Sequence, residues 1–462
     1  MAIPRQRVDS RSPADSISRR GILQGLIAGA SGLSLPGVLK LKAEAAALNN
    51  NERTALILVF LHGGASHLET YDPKPLAPVE YRGPFNTIPT TVPGLNICEL
   101  LPRHAEIAHK YTILRSMVHS GFCHGIGQQQ MFTGHEIRQF DPKPAHPDFL
   151  CVSNRVRGTK DRVLPNYVGV PPIPYLGSAY LGPSYEAFAV NDDPNHAGFS
   201  VANVGVTDRA KSARLESRIS LRRQLDGIKT NLDLAEGMTS METFERMAWE
   251  MLTRPEAERA FNLQQEDAKL RDRYGRNTWG QQCLLARRLV EAGVDLVTVT
   301  LLGPICGRVH NWDDHAVNHH CFDAMKSRAG YFDQAVSTLI EDVYERGLDK
   351  RVMVLVTGEF GRTPKISYAK DSASGVMQPG RDHWPAATSM LFAGGGLRTG
   401  QVIGGTDRRG EQVIERRIGP GDFLATIYQH LGIDSSRIAF ADFTGRPIPI
   451  PVEGRAIPEL VA

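Results

Sequence analysis

Thr54-Ala-Leu-Ile-Leu-Val-Phe-Leu-His62-Gly63-Gly64 is the stretch that decides the fold. An unbroken apolar run, with no polar alternation, is how a strand reads when helices cover both faces of a parallel sheet. The run stops abruptly at His62. Residues from His62 to Glu69 therefore fall just past the strand's carboxyl end, where open α/β sheets place their ligand crevices.

The rest of the chain repeats the pattern. Tyr111-Thr-Ile-Leu-Arg115, Val294 to Leu301, Arg351 to Thr357 and Met390-Leu-Phe-Ala393 read as further strands. Gly125 to Phe132, Trp279 to Ala292 (stopped by Gly293), Tyr331 to Arg346 and Asp422 to Leu431 read as helices. Strand and helix alternation predicts one α/β domain over residues 52–455, a mostly parallel central sheet with helices on both faces. A charged, helix-patterned stretch around 211–275 reads as an insertion, and no internal repeat interrupts the pattern.

Residues 16–23, Ser-Ile-Ser-Arg-Arg-Gly-Ile-Leu, place an arginine pair before an uncharged run from Gly21 to Leu39. Small residues for cleavage follow at Ala43-Glu44-Ala45 or Ala45-Ala46-Ala47. Arginine pair, modest apolar region and small-residue site together resemble a twin-arginine signal peptide over residues 1–47. That predicts a passage through the twin-arginine translocase, export in the folded state to the periplasm or beyond, and no membrane span once the segment is cleaved.

Composition agrees with a globular body. The 462 residues are 41% hydrophobic and 22% charged, and the net charge is +3. Basic residues exceed acidic ones by four within the first 45, so the remainder is close to neutral and has no Lys/Arg run of the kind nucleic acid binds. Six scattered cysteines without a Cys-x-x-Cys pair read mostly as buried thiols, with room for one bridge.

Polar clusters follow the strands. They are His62 to Glu69, Asn311-Trp-Asp-Asp-His315 with His319 and His320, and Gly358-Glu-Phe-Gly-Arg362; Gly380-Arg-Asp-His-Trp384 precedes a strand. Imidazoles and carboxylates gathered at one sheet edge suit a divalent metal, since both supply donor atoms and the strand ends hold them rigidly. One such histidine alone reads equally well as a hydrogen-bonded loop residue. Arg362 and Arg381, each beside a proposed ligand, either grip an anionic substrate in two-pronged fashion or pair with the nearby carboxylates.

Five segments carry a more specific resemblance: Gly63 to Pro75, Trp312-Asp-Asp-His315, Gly358-Glu-Phe-Gly-Arg-Thr-Pro-Lys365, Gly380-Arg-Asp-His-Trp-Pro385 and Ala393-Gly-Gly-Gly-Leu397. Together, over residues 54 to 450, they resemble the bacterial family called domain of unknown function 1501. That family is abundant in planctomycetes and is grouped with the alkaline phosphatases and sulfatases. The resemblance implies an alkaline-phosphatase-like fold and one or two divalent ions (Zn, Mn, Ca or Mg), with candidate ligands His62, Asp313, His315, His319, Glu359 and His383. It also implies departures. Phe360 stands where the superfamily has a second metal-binding histidine, and His62 stands where its first strand ends in an aspartate. His124 occupies the position of the sulfatase nucleophile, nine residues before Thr133-Gly134.

Without a hydroxyl or thiol at that position, attack by metal-activated water becomes the expected chemistry, with His124 as general base or acid. Ser66, Ser120 and Cys123 are the alternative nucleophiles. Two functions follow: an exported metal-dependent hydrolase of phosphate or sulfate esters, acting on a small molecule or a polysaccharide, or a non-catalytic metal- or polysaccharide-associated binding protein that keeps the fold. For the metal, His383, His315 and Glu359 are expected to share one ion.

Overall fold

The apolar run is strand β1 (Ala55–Phe60), buried at every residue. The other main-sheet strands are β2 (Tyr111–Met117), β3 (Tyr167–Val170), β4 (Phe188–Ala189), β5 (Leu296–Thr300), β6 (Val352–Thr357), β7 (Thr388–Gly394) and β8 (Gln401–Ile403). A computed structural model of the chain describes residues 53–158, 163–201, 204, 250–303, 305, 311–450 and 453–461. The proposed signal segment, Cys306 and most of the expected insertion lie outside the described residues.

These strands form one eight-stranded sheet in the order β8-β2-β7-β6-β1-β5-β3-β4. β1 lies between β5 and β6, parallel to both, with Leu58 opposite Thr298 on one side and Leu355 on the other. β7 alone runs against its two neighbours. The sheet is thus mostly parallel, as expected from the sequence. β3, β4 and β8 were not foreseen, because strands of two to four residues leave too little pattern to read.

Alternation along β1 feeds two cores. Ile57 and Val59 join Val297, Val299, Val354 and Val356 on one face, under helices Thr278–Glu291 and Cys321–Glu345. Leu56, Leu58 and Phe60 face Phe132, Phe149, Phe423 and Ile427 on the other. Each such side chain removed from water stabilises the fold by about 1.5–3 kcal/mol. Helix Cys321–Glu345 begins ten residues before the sequence reading placed it. Its extra turns are fixed by tertiary contact, since Arg328 is buried against Asp314 and over Trp312.

Helix His124–Thr133 follows β2 and ends at Gly134, which adopts the left-handed conformation. It packs on the second core and carries buried Gln128 and Gln129. Cys98, Cys151, Cys283 and Cys321 are buried thiols, Cys123 is partly exposed, and no disulfide occurs among the described residues. No helix among the described residues is long and apolar enough to cross a membrane.

Candidate metal centre

The carboxyl ends of β1, β2, β5 and β6 share one edge because these strands run parallel. His62, Glu359 and, beyond β2, His124 follow them there. A residue before a parallel strand would lie at the opposite edge. The reversal of β7 brings Asp382 and His383 to the same edge as the others. A two-residue ladder then pins His383 opposite Arg362.

Asp313 is held against the end of β1. Trp312 N–H donates to the His62 carbonyl at 2.8 Å, and the Trp312 indole stacks on Trp279 with ring centroids 5.9 Å apart. Gly63 makes this approach possible. At its φ of +107° a side-chain carbon would stand 2.6 Å from Asp313 N, inside van der Waals contact. Gly64 does the same for Phe360, whose ring would be 2.6 Å from a Cβ there.

Three imidazoles converge on one carboxylate oxygen. From Asp313 Oδ1, His315 Nε2 is 3.0 Å away, His124 Nε2 is 3.3 Å and His383 Nε2 is 3.4 Å. His315 Nε2 and His383 Nε2 are 3.0 Å apart. Every one of these rings is fixed from behind. His124 Nδ1 donates to Glu359 Oε1 at 2.6 Å, His315 Nδ1 to Asp382 Oδ1 at 2.7 Å, and His383 Nδ1 to the Phe122 carbonyl at 2.9 Å. With Nδ1 committed to its rear acceptor, Nε2 either donates to Asp313 or, once it has lost its proton, directs a lone pair inward. His124, Asp313 and His383 offer atoms all within 4.8 Å of one another. Donors about 2.0–2.1 Å from a tetrahedral ion stand about 3.3–3.4 Å apart, so the spacing fits a zinc-like ion.

Electrostatics of the metal-free cluster follow from this crowding. Burial works against a charge on His124, but its bonds to Asp313 and Glu359 outweigh that and push it up to about 9. Burial would raise Asp313 as well; the histidine bonds and the Arg362 charge hold it far below the carboxylate range instead. His315 is raised, chiefly by its Asp313 bond. Glu359 is lowered in spite of complete burial, because His124 bonds to it. His62 is lowered by burial, and its ring centroid lies 6.0 Å from that of His124.

Other residues singled out in the sequence are placed differently from the roles expected of them. Glu359 lies behind His124, accepting its Nδ1 proton and the Gly63 N–H at 3.1 and 3.2 Å, so it orients a ring instead of facing His315 and His383. His319 turns to Asp314, 2.9 Å away. Arg362 is buried and bonds to Asp313 and to the carbonyls of Gly63, Gly64 and Arg381. Arg381 is buried too, paired with Glu69 at 2.7 Å and bonded to the carbonyls of Thr363, Pro364 and Tyr81. Both guanidiniums thus spend their donors on protein atoms, Arg362 on the Asp313 carboxylate oxygen at the centre of the cluster among them. Ser66 is buried with its hydroxyl unpartnered, and Ser120 donates to Gln130 Oε1. Among the described residues no hydroxyl or thiol is bonded to the cluster.

Two contributors escaped the sequence: Asp382 orients His315, and Gln128 reaches within 3.4 Å of both His62 and Glu359. Phe360, marked in the sequence as a departure from the resemblance, walls the site with its ring 4.4 Å from that of His383. Asp382 stood beside His383 in a motif already noticed, and that adjacency was the available signal. Nothing in the sequence marked Gln128.

A family model described as protein of unknown function (DUF1501) matches residues 53–461, and the chain belongs to that family. No curated protein matches the chain. Among solved structures the chain is similar to the PsFucS1 sulfatase from Pseudoalteromonas sp., at 12% identity over 91% of this chain and 73% of that one, with a TM-score of 0.37. It is also similar to the phosphonate monoester hydrolase of Agrobacterium radiobacter, at 11% identity over 88% and 77% with a TM-score of 0.36. A third is the C-terminal periplasmic domain of EcEptC from Escherichia coli in complex with Zn, at 10% identity over 83% of each chain with a TM-score of 0.34.

Proposed function

We propose that this DUF1501 protein is an exported, metal-dependent hydrolase of phosphate or sulfate esters, with one divalent ion held by His124, Asp313 and His383 and flanked by His315. The observation that carries the reading is the convergence of imidazole Nε2 atoms on Asp313 Oδ1, each ring tied from behind at Nδ1. Rings fixed in this way are the usual support of metal-binding histidines. Bound there, a divalent ion supplies a Lewis acid for the ester oxygen and acidifies water.

The chain's own residues do the remaining work. Glu359 and Asp382 hold the His124 and His315 rings in place. Phe360 lays an apolar ring against His124 and His383 and forms one wall of the site. His62, held neutral by burial, is the base available at neutral pH to take a proton from the attacking water. The attacking group is water, since among the described residues no hydroxyl or thiol is bonded to the cluster.

The experiment is metal analysis of exported protein, followed by assay of Zn²⁺-, Mn²⁺- and Ca²⁺-loaded samples on aryl phosphates, phosphodiesters and sulfates. Ester hydrolysis that disappears with a chelator supports the reading; metal-loaded protein that releases nothing from the panel sinks it. A specific observation favours a second reading, a metal-holding binding protein without turnover. Arg362 and Arg381 spend their donors on protein atoms, leaving neither guanidinium free to stabilise the charge that ester cleavage develops. Metal uptake and ligand binding without hydrolysis would select it.

A further inference from the structure

The histidine cluster has an aromatic rim. Phe122, Phe140 and Tyr175 are 66%, 39% and 38% exposed. Phe122 lends its carbonyl to His383. The Phe140 ring lies directly on Gly125, the residue after His124, so closely that any side chain there would overlap it. Tyr175 meets Phe140 edge to face, with centroids 5.2 Å apart and planes at 89°.

This pair is braced by the helix that carries His124. Gln129, buried on that helix, donates to the Asp141 carbonyl at 2.7 Å and the Tyr175 carbonyl at 3.1 Å, tying down both aromatic loops with one side chain. Tyr175 holds φ at 60°, a backbone conformation that a Cβ disfavours and that tends to occur where function requires it. Exposed rings fixed at right angles beside a polar cluster suit a ligand with a flat face. Polar side chains of the same loop, Glu136, Arg138, Asp141 and Lys143, are exposed alongside and available to hydroxyl groups at a ring's edge.

We infer that Phe140 and Tyr175, with Phe122, form a subsite for a hydroxylated six-membered ring, such as a sugar, in the alcohol portion of the ester. The inference rests on the hydrolase reading for the word ester. The ring subsite itself stands on the aromatic pair.

The test uses the exported full chain loaded with Zn²⁺. Calorimetry and saturation-transfer NMR compare glucose 6-phosphate, phenyl phosphate and ethyl phosphate, the matching sulfates, and methyl glucoside. The glucose esters should bind about tenfold tighter than the ethyl esters, the scale of one or two ring-stacking contacts. In Phe140→Ala and in Tyr175→Ala that ratio should fall most of the way to one, with metal content measured in parallel to show an intact cluster. Equal binding of glucose and ethyl esters overturns the subsite, as does a ratio unchanged in Phe140→Ala; Zn²⁺-dependent binding of the ethyl esters in that case leaves the hydrolase reading standing. Binding of phenyl esters without glucose esters overturns the hydroxylated ring. Saturation transfer to methyl glucoside that needs Phe140, with no ester bound, keeps the subsite and sinks the hydrolase reading.

Discussion

Replacing Glu359 by Gln separates two effects of a buried carboxylate behind a metal-binding histidine. The amide oxygen can still accept from His124 Nδ1 and Gly63 N, as Glu359 Oε1 does at 2.6 and 3.1 Å, so the fold should survive. The lost charge acts in opposite directions. A less basic ring binds metal more weakly, and loss of such a partner typically costs 10- to 100-fold in affinity, about 1.4–2.7 kcal/mol. The same loss lowers His124 and eases departure of the proton that a metal must displace.

In the metal-free wild type the Asp313 and Glu359 bonds push His124 up to about 9. At pH 7 it is then neutral in roughly one molecule in a hundred, and metal affinity there should be about 100-fold below its limit at high pH. Affinity should therefore climb about tenfold per pH unit between 7 and 9 in the wild type, and less steeply in Glu359→Gln. The variant's deficit should be small at pH 7 and reach its full 10- to 100-fold only above pH 9. Zn²⁺ affinity measured against a competing chelator at pH 7, 8, 9 and 9.5 reads this directly. A deficit as large at pH 7 as at pH 9.5, or none at either, would refute the arrangement in which Glu359 serves His124.

Other outcomes can be checked more simply. His383→Ala should lose bound metal while circular dichroism stays unchanged, because the side chain is partly exposed and sits in a two-residue strand at the sheet edge; retained stoichiometric metal would remove His383 from the site. Gly63→Ala should lower stability by about 2 kcal/mol or more and release metal as well, since its φ and the Asp313 backbone leave no room for a methyl; a thermal midpoint equal to wild type would contradict this. In metal-free protein, the raised His124 contributes stability fully present below its unfolded value of 6.5 and lost as pH climbs through about 9. The lowered Asp313 and Glu359 contribute stability present above 3.8 and 4.5 and lost as pH falls below those values. Denaturant midpoints should therefore be highest between about pH 5 and 6.5, and a midpoint still rising at pH 9 would break the ion-pair account. Changing Arg19 and Arg20 to Lys should leave the precursor in the cytoplasm, and normal recovery in the periplasm would rule out the twin-arginine route.

The sequence by itself determined the longer strands of the sheet. A run such as Ala55 to Leu61 has few other places to go than a strand covered on both faces, and four of the eight main strands flank residues of the site for the same local reason. It also made most of the proposed cluster legible, because histidine and aspartate after buried strands are conspicuous: Asp313, His315 and His383 stood out as candidate ligands, and His124 as a candidate acid or base rather than a ligand. Which donors meet was decided by tertiary structure alone. The reversal of β7 carries His383 to the shared edge, and strand direction is set by pairing with distant neighbours, not by the residues of Thr388–Gly394. His319 turned away because Asp314, buried with Arg328, took it, and Glu359 fell behind His124 because Gly63 N–H bound it there. Arg362 and Arg381 faced inward because the carbonyls of Gly63, Gly64, Thr363 and Tyr81 converge around them. A side chain's role depends on distant partners, 312 residues away for Arg381 and Glu69, and such distances leave no period or spacing in the chain to read.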